Sequence, residues 1–383
     1  MIVLRVLHFS SHNEDCGIAK YQENYLEAIS NTSTEVENKF FKHSPYQTRD
    51  MNRAAFSGVI DDLNRELTNF DILHIQHEFG FFRGDQLRRL VDTAKQSGKK
   101  VVVTYHTSPD LIIILKPLGG IGPRSIISYL RSRRHNHRLI DSHIRPLNMA
   151  DKILVHNSYT SSKLRDFGIP NSKLELIAHP TYEITKPQGS THVSEALKKH
   201  KNDIVIGTVG YLHRFKGVDK AIKSLSYLPG NYKLAILGGV KSDSDDQKLY
   251  DSLTDLIIKL GLQERVYITG VVPSDDMLNS YIRETDVCVY PYDSTYYKGV
   301  SSGALNLAIA NERPIVAYPV STLLETNEPY GQITFTDSDS YYELAREIKQ
   351  LDIAAQTKKI SAYADANSFV NTSKTLVETY KNL

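Results

Sequence analysis

Short apolar runs of strand length alternate with longer stretches of helical periodicity, and the alternation passes along the chain twice. In the first half the runs are "VLRVLHF", "ENKFFKH", "DILHIQH", "KVVVTYH" and "KILVHN". Helical patterns lie between them, near residues 85–96 and from residue 123 to about 148. Strand–helix–strand alternation with buried-looking strands predicts a parallel sheet covered by helices on both faces. The pattern thins at "PTYEITKPQGSTHVSE", where Pro180, Pro187 and Gly189 mark a linker. It then restarts with "DIVIGTVG", "YKLAILGG", "RVYITG", "DVCVYPY", "RPIVAYP" and "QITFT". Helices are predicted near residues 218–227, 246–260, 274–284 and 301–310, and the tail from residue 341 is helical in pattern. A chain of 383 residues accommodates two such α/β domains.

Composition narrows the class. Hydrophobic residues make up 40% and charged residues 23%, as in ordinary globular proteins. No run approaches the ~20 apolar residues that span a bilayer. The start, "MIVLRVLHFS", reads as a strand and lacks the layout of a secretion signal. Two distant cysteines, Cys16 and Cys288, make neither a disulfide framework nor a metal cluster, so a cytoplasmic protein is expected. The net charge of +2 hides an asymmetry: residues 101–150 carry seven Lys/Arg against Asp110 and Asp141 alone. Such a basic patch points to an anionic partner, a membrane surface or a phosphate-bearing acceptor. Nothing points to nucleic acid.

In open α/β sheets, ligands bind at the carboxyl ends of strands. After the first strand, Gly17 opens a helical pattern and lets backbone N–H groups approach an anion; a turn glycine is the plain alternative. No G-x-G-x-x-G follows that strand, which argues against a dinucleotide-dependent dehydrogenase. "HIQHEFGFF" and "TYHTS" end two neighbouring strands and bring Gln76, His77, Glu78 and His106 to one rim. Their spacing is not that of a metal site. Polar contact to a sugar or acceptor fits better, with a structural role for His77 as the alternative. In "GTVGYLHRFKGVDKAI", Gly210 ends a strand, and Arg214 and Lys216 stand just before a helix. Cations beside a helix N-terminus suit a diphosphate, with a solvated basic loop as the plain alternative. Ser301, Ser302 and Gly303 precede a further helix and form a second anion cradle, or else a plain serine cap. Asp243, Asp245 and Asp246 read as a solvated loop with a helix cap, not as a metal site.

Together these residues resemble the retaining GT-B glycosyltransferases of family 4 over nearly the full length. The likeness is strongest from "GTVGYLHRFKG" through "ITGVVPSDDMLNSYIRETDVCVYPY" to "SSGALNLAIANERPIVAY". "CGIAKY", "HIQHEFGFF" and "VVVTYHTS" resemble a bacterial branch. The resemblance implies an α/β, GT-B fold, with two Rossmann-like domains facing a central cleft. Residues 1–190 would bind the acceptor, joined by a C-terminal helix at about 364–383, and residues 200–363 the donor. It implies that Gly17 approaches the donor diphosphate, that His106 faces the transferred sugar, that Lys216 holds the donor phosphates, and that Ser301, Ser302 and Gly303 cradle them. The implied reaction moves a hexose from a nucleotide-diphosphate sugar to an acceptor hydroxyl with retention, with no metal or other cofactor. The leaving phosphate helps take the acceptor proton. The sequence departs from the family at three places. The usual pair of glutamates is Gly299 and Leu307, the arginine usually paired with the lysine is Tyr211, with Arg214 supplying the charge, and the usual asparagine-glycine after "LELI" is "AHP".

Two other readings remain open at this level: a non-catalytic GT-B subunit that partners an active transferase, and a nucleotide-sugar epimerase. Residues 111–138 place an apolar stretch before Arg131, Arg133, Arg134 and Arg138. That order suits peripheral contact with an anionic membrane, at its inner face and near a lipid-linked acceptor, or a packed helix with a solvated basic face.

Overall fold

The computed structural model describes residues 3–14, 16–113, 123–182, 184, 189–240, 244–295, 297 and 302–383. The chain divides into two compact units, Met1–His179 with Phe369–Leu383, and Pro180–Lys298 with Ser302–Ser368. Ser301, Gly299 and Asp243 lie outside the described residues, as does part of the segment 111–138.

The first unit is built on β1 (Leu4–Phe9), β2 (Val36–Phe40), β3 (Ile72–His77), β4 (Lys100–Tyr105), β5 (Lys152–Val155) and β6 (Leu174–Leu176), in the order β2-β1-β3-β4-β5-β6. Every pairing is parallel. All six residues of β3 are buried, as expected for an interior strand covered on both faces. β6 is an addition to the five strands read from the sequence. It is three residues long and half exposed, too short to show a period. The single helix expected from residue 123 to about 148 also needs correction. An α-helix covers Pro123–Leu139, a π turn follows at Ile140–Ile144, and a 3-10 turn at Arg145–Met149. Pro146 has no N–H for a continued helix, and the chain widens its turn just before it.

The second unit carries β7 (Ile204–Val209), β8 (Tyr232–Leu237), β9 (Val266–Ile268), β10 (Val287–Tyr290), β11 (Ile315–Ala317) and β12 (Ile333–Phe335), in the order β12-β11-β10-β7-β8-β9. All pairings are again parallel, and all six strands are those read from the sequence. Counted from β7 this is the doubly wound 3-2-1-4-5-6 order, whose direction reverses between β7 and β10. Two apolar clusters pack this sheet. One holds Val209, Leu237, Tyr290 and Leu305, the other Ile206, Leu234, Val289 and Leu344. Ser274 and Ser302 cap the helices Asp275–Arg283 and Gly303–Ala310 by accepting N–H bonds from Met277 and Leu305. A short helix, His192–Ala196, forms within the linker stretch.

The last helix, Phe369–Lys381, belongs to the first unit. Its buried residues Phe369, Thr372, Ser373, Leu376, Val377 and Tyr380 recur at helical spacing. Phe369 packs edge-on against Tyr25 of the helix Gly17–Thr32, with ring centroids 5.1 Å apart. Tyr380 hydrogen-bonds His74 of β3 at 2.6 Å, and His74 also bonds Thr104 of β4 at 2.8 Å. The Tyr380→Phe variant leaves His74 Nδ1 buried without a partner. It is expected to lower unfolding free energy by about 1–3 kcal/mol, read by urea denaturation, with unchanged backbone circular dichroism.

Burial also disfavours charge on the interior histidines of this unit. His8 and His143 are pushed down to about 4, and His74 and His77 well below the ordinary histidine value. Each is neutral when folded and takes up a proton near pH 6.5 when unfolded. The stability they contribute is therefore present above pH 6.5 and lost as pH falls below it. Each group contributes a slope of up to about 1.4 kcal/mol per pH unit. Melting of the first unit between pH 7 and pH 5 is expected to shift steeply downward, and replacing His143 with Phe to flatten that dependence.

Candidate functional site

The β7/β10 reversal is where a doubly wound sheet opens a crevice, and in the second unit it gathers the cationic loop and the helix start. Gly210 follows β7 with φ of +105°, a conformation that favours glycine. A Cβ built there would stand 2.5 Å from Lys216 Nζ and 3.6 Å from the Ala304 side chain. The ammonium group, the strand end and the first turn of the helix Gly303–Ala310 therefore meet at one point. Gly217, just past Lys216 with φ of +65°, lets the loop press against the Pro291 carbonyl after β10, where a side chain would collide. Asp293 N–H donates to Phe215 O at 2.8 Å and ties the two loops together.

Lys216 is mostly buried, and among the described residues its Nζ donates a single long 3.4 Å bond, to Val209 O. Burial pulls its pKa down to about 8. No carboxylate pairs with it among the described residues. Arg214, two residues earlier, is exposed and has no ion-pair partner among the described residues. The Ser302 hydroxyl is used internally: it accepts the Leu305 N–H at 3.1 Å and meets Tyr292 OH at 2.9 Å. What Ser302 and Gly303 offer a ligand is thus backbone, the first-turn N–H groups that no helix satisfies internally. Among the described residues no atom lies within 4 Å of a Cβ built on Gly303, apart from its chain neighbours. Leu307, where the family carries a glutamate, leans into the apolar cluster under the sheet.

In the first unit, Gly17 is the first residue of its helix, Cys16 provides no side-chain cap, and the space around Gly17 is open. His106 follows β4 and is partly exposed. It ends a directed hydrogen-bond chain. Gln76 Nε2 donates to Gln22 Oε1 at 2.5 Å, and Gln22 Nε2 donates to His8 Nδ1 at 3.0 Å. His8 therefore carries its proton on Nε2 and donates to Asn38 Oδ1 at 2.8 Å. At the other end, Gln76 Oε1 accepts from His106 Nε2 at 2.7 Å. That leaves His106 Nδ1 unprotonated, as an acceptor. Burial, with His179 and His74 close by, pushes the His106 pKa down to about 3, so the imidazole is neutral. His156 and His179 extend an aromatic group around Tyr21, with His106–His156 and His156–His179 centroids 5.3 and 5.1 Å apart.

His77 is placed inside the unit. Its ring is fully buried, stacked 4.3 Å from Tyr105, and bonded to His143 at 3.1 Å. Glu78 is half-buried; it accepts from Phe79 N–H at 2.9 Å and from the Thr107 hydroxyl at 2.6 Å. Burial raises its pKa. The structure thus brings Gly210, Lys216, Ser302 and Gly303 together in one unit, and His77, Glu78 and His106 in the other. Gln22, His8, His74 and His156 were not singled out in the sequence. The signal was present as polar residues two apart on buried strands, His74 with Gln76. Among the described residues no group of three or more His, Cys, Asp or Glu side chains is arranged to hold a metal ion, and no helix is long and apolar enough to cross a membrane.

Comparison with known proteins follows the same division. The family described as "Glycosyl transferases group 1" matches residues 190–364, and "Glycosyltransferase Family 4" matches residues 26–181. No protein of curated function matches the sequence significantly. Among solved structures, the Anabaena protein HepE in complex with UDP is similar along 100% of both chains, at 14% identity and a TM-score of 0.69. A glycosyltransferase from Rickettsia africae is similar over 99% of this chain and 98% of its own, at 13% identity and a TM-score of 0.69. A sucrose-phosphate synthase from Thermosynechococcus elongatus has the same coverage, at 16% identity and a TM-score of 0.65. At such identities the structures speak for the fold. With one family model on each half and this fold along the whole length, the chain belongs to the family 4 glycosyltransferases of the GT-B fold.

Proposed function

We propose that the protein transfers a hexose from a nucleotide-diphosphate sugar to a hydroxyl of a saccharide or lipid-linked acceptor, with retention of configuration, in cell-surface polysaccharide or glycoconjugate synthesis. The observation that carries this reading is the meeting of Gly210, the Lys216 ammonium and the start of the helix Gly303–Ala310 at the β7/β10 reversal. A largely buried cation with no carboxylate partner among the described residues, beside a helix N-terminus, suits a polyanion. The HepE structures, which hold UDP or UDP-glucose, support a nucleotide-sugar donor.

In this reading the second unit binds the donor. Lys216, Arg214 and the first-turn N–H groups near Ser302 and Gly303 neutralise the diphosphate as it departs, so no metal is required. Gly17 opens its helix with first-turn N–H groups that suit a phosphate. The first unit binds the acceptor. His106 accepts a hydroxyl hydrogen of the transferred sugar on Nδ1, an orientation fixed by Gln76. Glu78 lines that rim, and His77 positions the loop from within. As the bond from the anomeric carbon to the leaving phosphate breaks, the acceptor oxygen attacks the same face. Its proton passes to the leaving phosphate. The exposed Ile127 and Leu130, one helical turn from Arg131 and Arg134, support peripheral contact with an anionic membrane. Leu307 in place of an acid favours the second reading, a non-catalytic partner subunit. Turnover of a nucleotide sugar separates the two.

The test is calorimetric titration of a panel of nucleoside diphosphates in the presence of a chelator. One nucleotide is expected to bind, and Lys216→Ala to weaken it by about 10- to 100-fold, the loss of one charge-assisted contact. An anion favours the charged amine, so wild-type affinity is expected to decline as pH rises through about 8, and the alanine variant to lose that dependence. Failure of every nucleotide to bind would overturn the donor site. Gln76→Ala is expected to cut kcat about tenfold or more by freeing the His106 ring, while nucleotide affinity stays put. A change in the nucleotide Kd instead would place Gln76 in a general structural role.

A further inference from the structure

A cavity of about 830 Å3 opens in the first unit, between the loop that follows β3 and the end of the helix Pro123–Leu139 with its π turn. That volume suits a small ligand. Its apolar lining comes from Phe79, Phe82 and Leu139. Its charged lining is unbalanced. Arg83 pairs with Asp50 at 2.9 Å, and Arg145 with Asp141 at 2.7 Å. Asp85 is matched from outside by Arg53 at 3.1 Å. Each carboxylate of the lining is thereby answered. Arg88 and Arg138 also line the cavity, are exposed, and have no carboxylate partner among the described residues.

Two unanswered guanidinium groups on a cavity wall call for an anion, and their planar forks match phosphate oxygens in pairs. The cavity adjoins the proposed reaction rim through packed contacts. Phe79 lies 4.7 Å from His143, and His143 bonds His77. The next residue, Glu78, bonds Thr107 beside His106. We propose that this cavity binds the phosphate or diphosphate group of the acceptor, through Arg88 and Arg138. That the anion belongs to the acceptor rests on the transferase reading; that the cavity takes a phosphate does not.

The experiment titrates inorganic pyrophosphate into wild type, Lys216→Ala and the double variant R88A/R138A, and in parallel floats each with phosphatidylglycerol vesicles. Both arginines are exposed, and thermal melting checks that the double variant is folded. Wild type is expected to bind pyrophosphate at two sites. Lys216→Ala should keep the cavity site, and R88A/R138A should weaken that site more than tenfold while leaving nucleotide binding intact. Restoring charge with R88K/R138K should recover part of the affinity. Loss of vesicle binding together with pyrophosphate binding in R88A/R138A assigns the group to a lipid headgroup, and loss of pyrophosphate alone to a soluble acceptor. Unchanged pyrophosphate binding in R88A/R138A overturns the proposal, whatever the vesicles do. Failure of nucleotide binding in every variant would sink the transferase reading and leave the cavity's anion site standing.

Discussion

Parallel strand pairing is the constraint from which the rest follows. A parallel ladder forbids a tight hairpin return, so each strand must be followed by a crossover over one face of the sheet. All carboxyl ends then emerge along one edge. In the second unit that edge collects Gly210 after β7, Gly238 after β8 and Pro291 after β10, where the sheet order reverses between β7 and β10 and glycines let the loops pack closely. The crevice comes from topology. The chemistry comes from what stands there: a lysine with no carboxylate partner among the described residues and the first-turn N–H groups of a helix.

The first unit applies the same geometry to different material. Its sheet carries a polar layer where an apolar one would be cheaper. His8 on β1 and His74 on β3 face each other in register, and Gln76 sits opposite Thr104 on β4. A buried polar layer of this kind is favourable only when each member is bonded. Here the amides of Gln22 and Gln76 alternate donor and acceptor, so the tautomer of His8 at one end and of His106 at the other are set together. An imidazole fixed in one tautomer needs no rearrangement when a ligand hydroxyl arrives.

Much of the architecture was legible in the sequence because buried parallel strands leave dense apolar runs. Eleven of the twelve strands announced themselves that way, and β6 did not, since three half-exposed residues carry no period. The π turn at Ile140–Ile144 was illegible for another reason: Pro146 marks the end of a helix but not whether the turn before it widens, and the His143–His77 bond made there joins residues 66 apart. Of the site, the cations and glycines near Gly210 were readable because helix starts and strand ends fix where backbone N–H groups point. The hydrogen-bond chain behind His106 was not, because it joins residues from four separate segments, and pairwise distance in space has no signature along the chain. The arginines of the cavity were visible only as an excess of positive charge; which of them have no carboxylate partner among the described residues is a tertiary fact.

The bond between Tyr380 and His74 spans 306 residues. Residue 74 leaves the ribosome long before residue 380, with the whole of the second unit made in between. The first unit therefore spends most of synthesis with His74 lacking its tyrosine partner and with Tyr25 uncovered by Phe369. Its nearest stable form at that stage is a sheet with one helix missing, and the closing step waits for translation to finish. Translation that stops after the second unit would yield a second unit with its own strands complete and a first unit with an open flank.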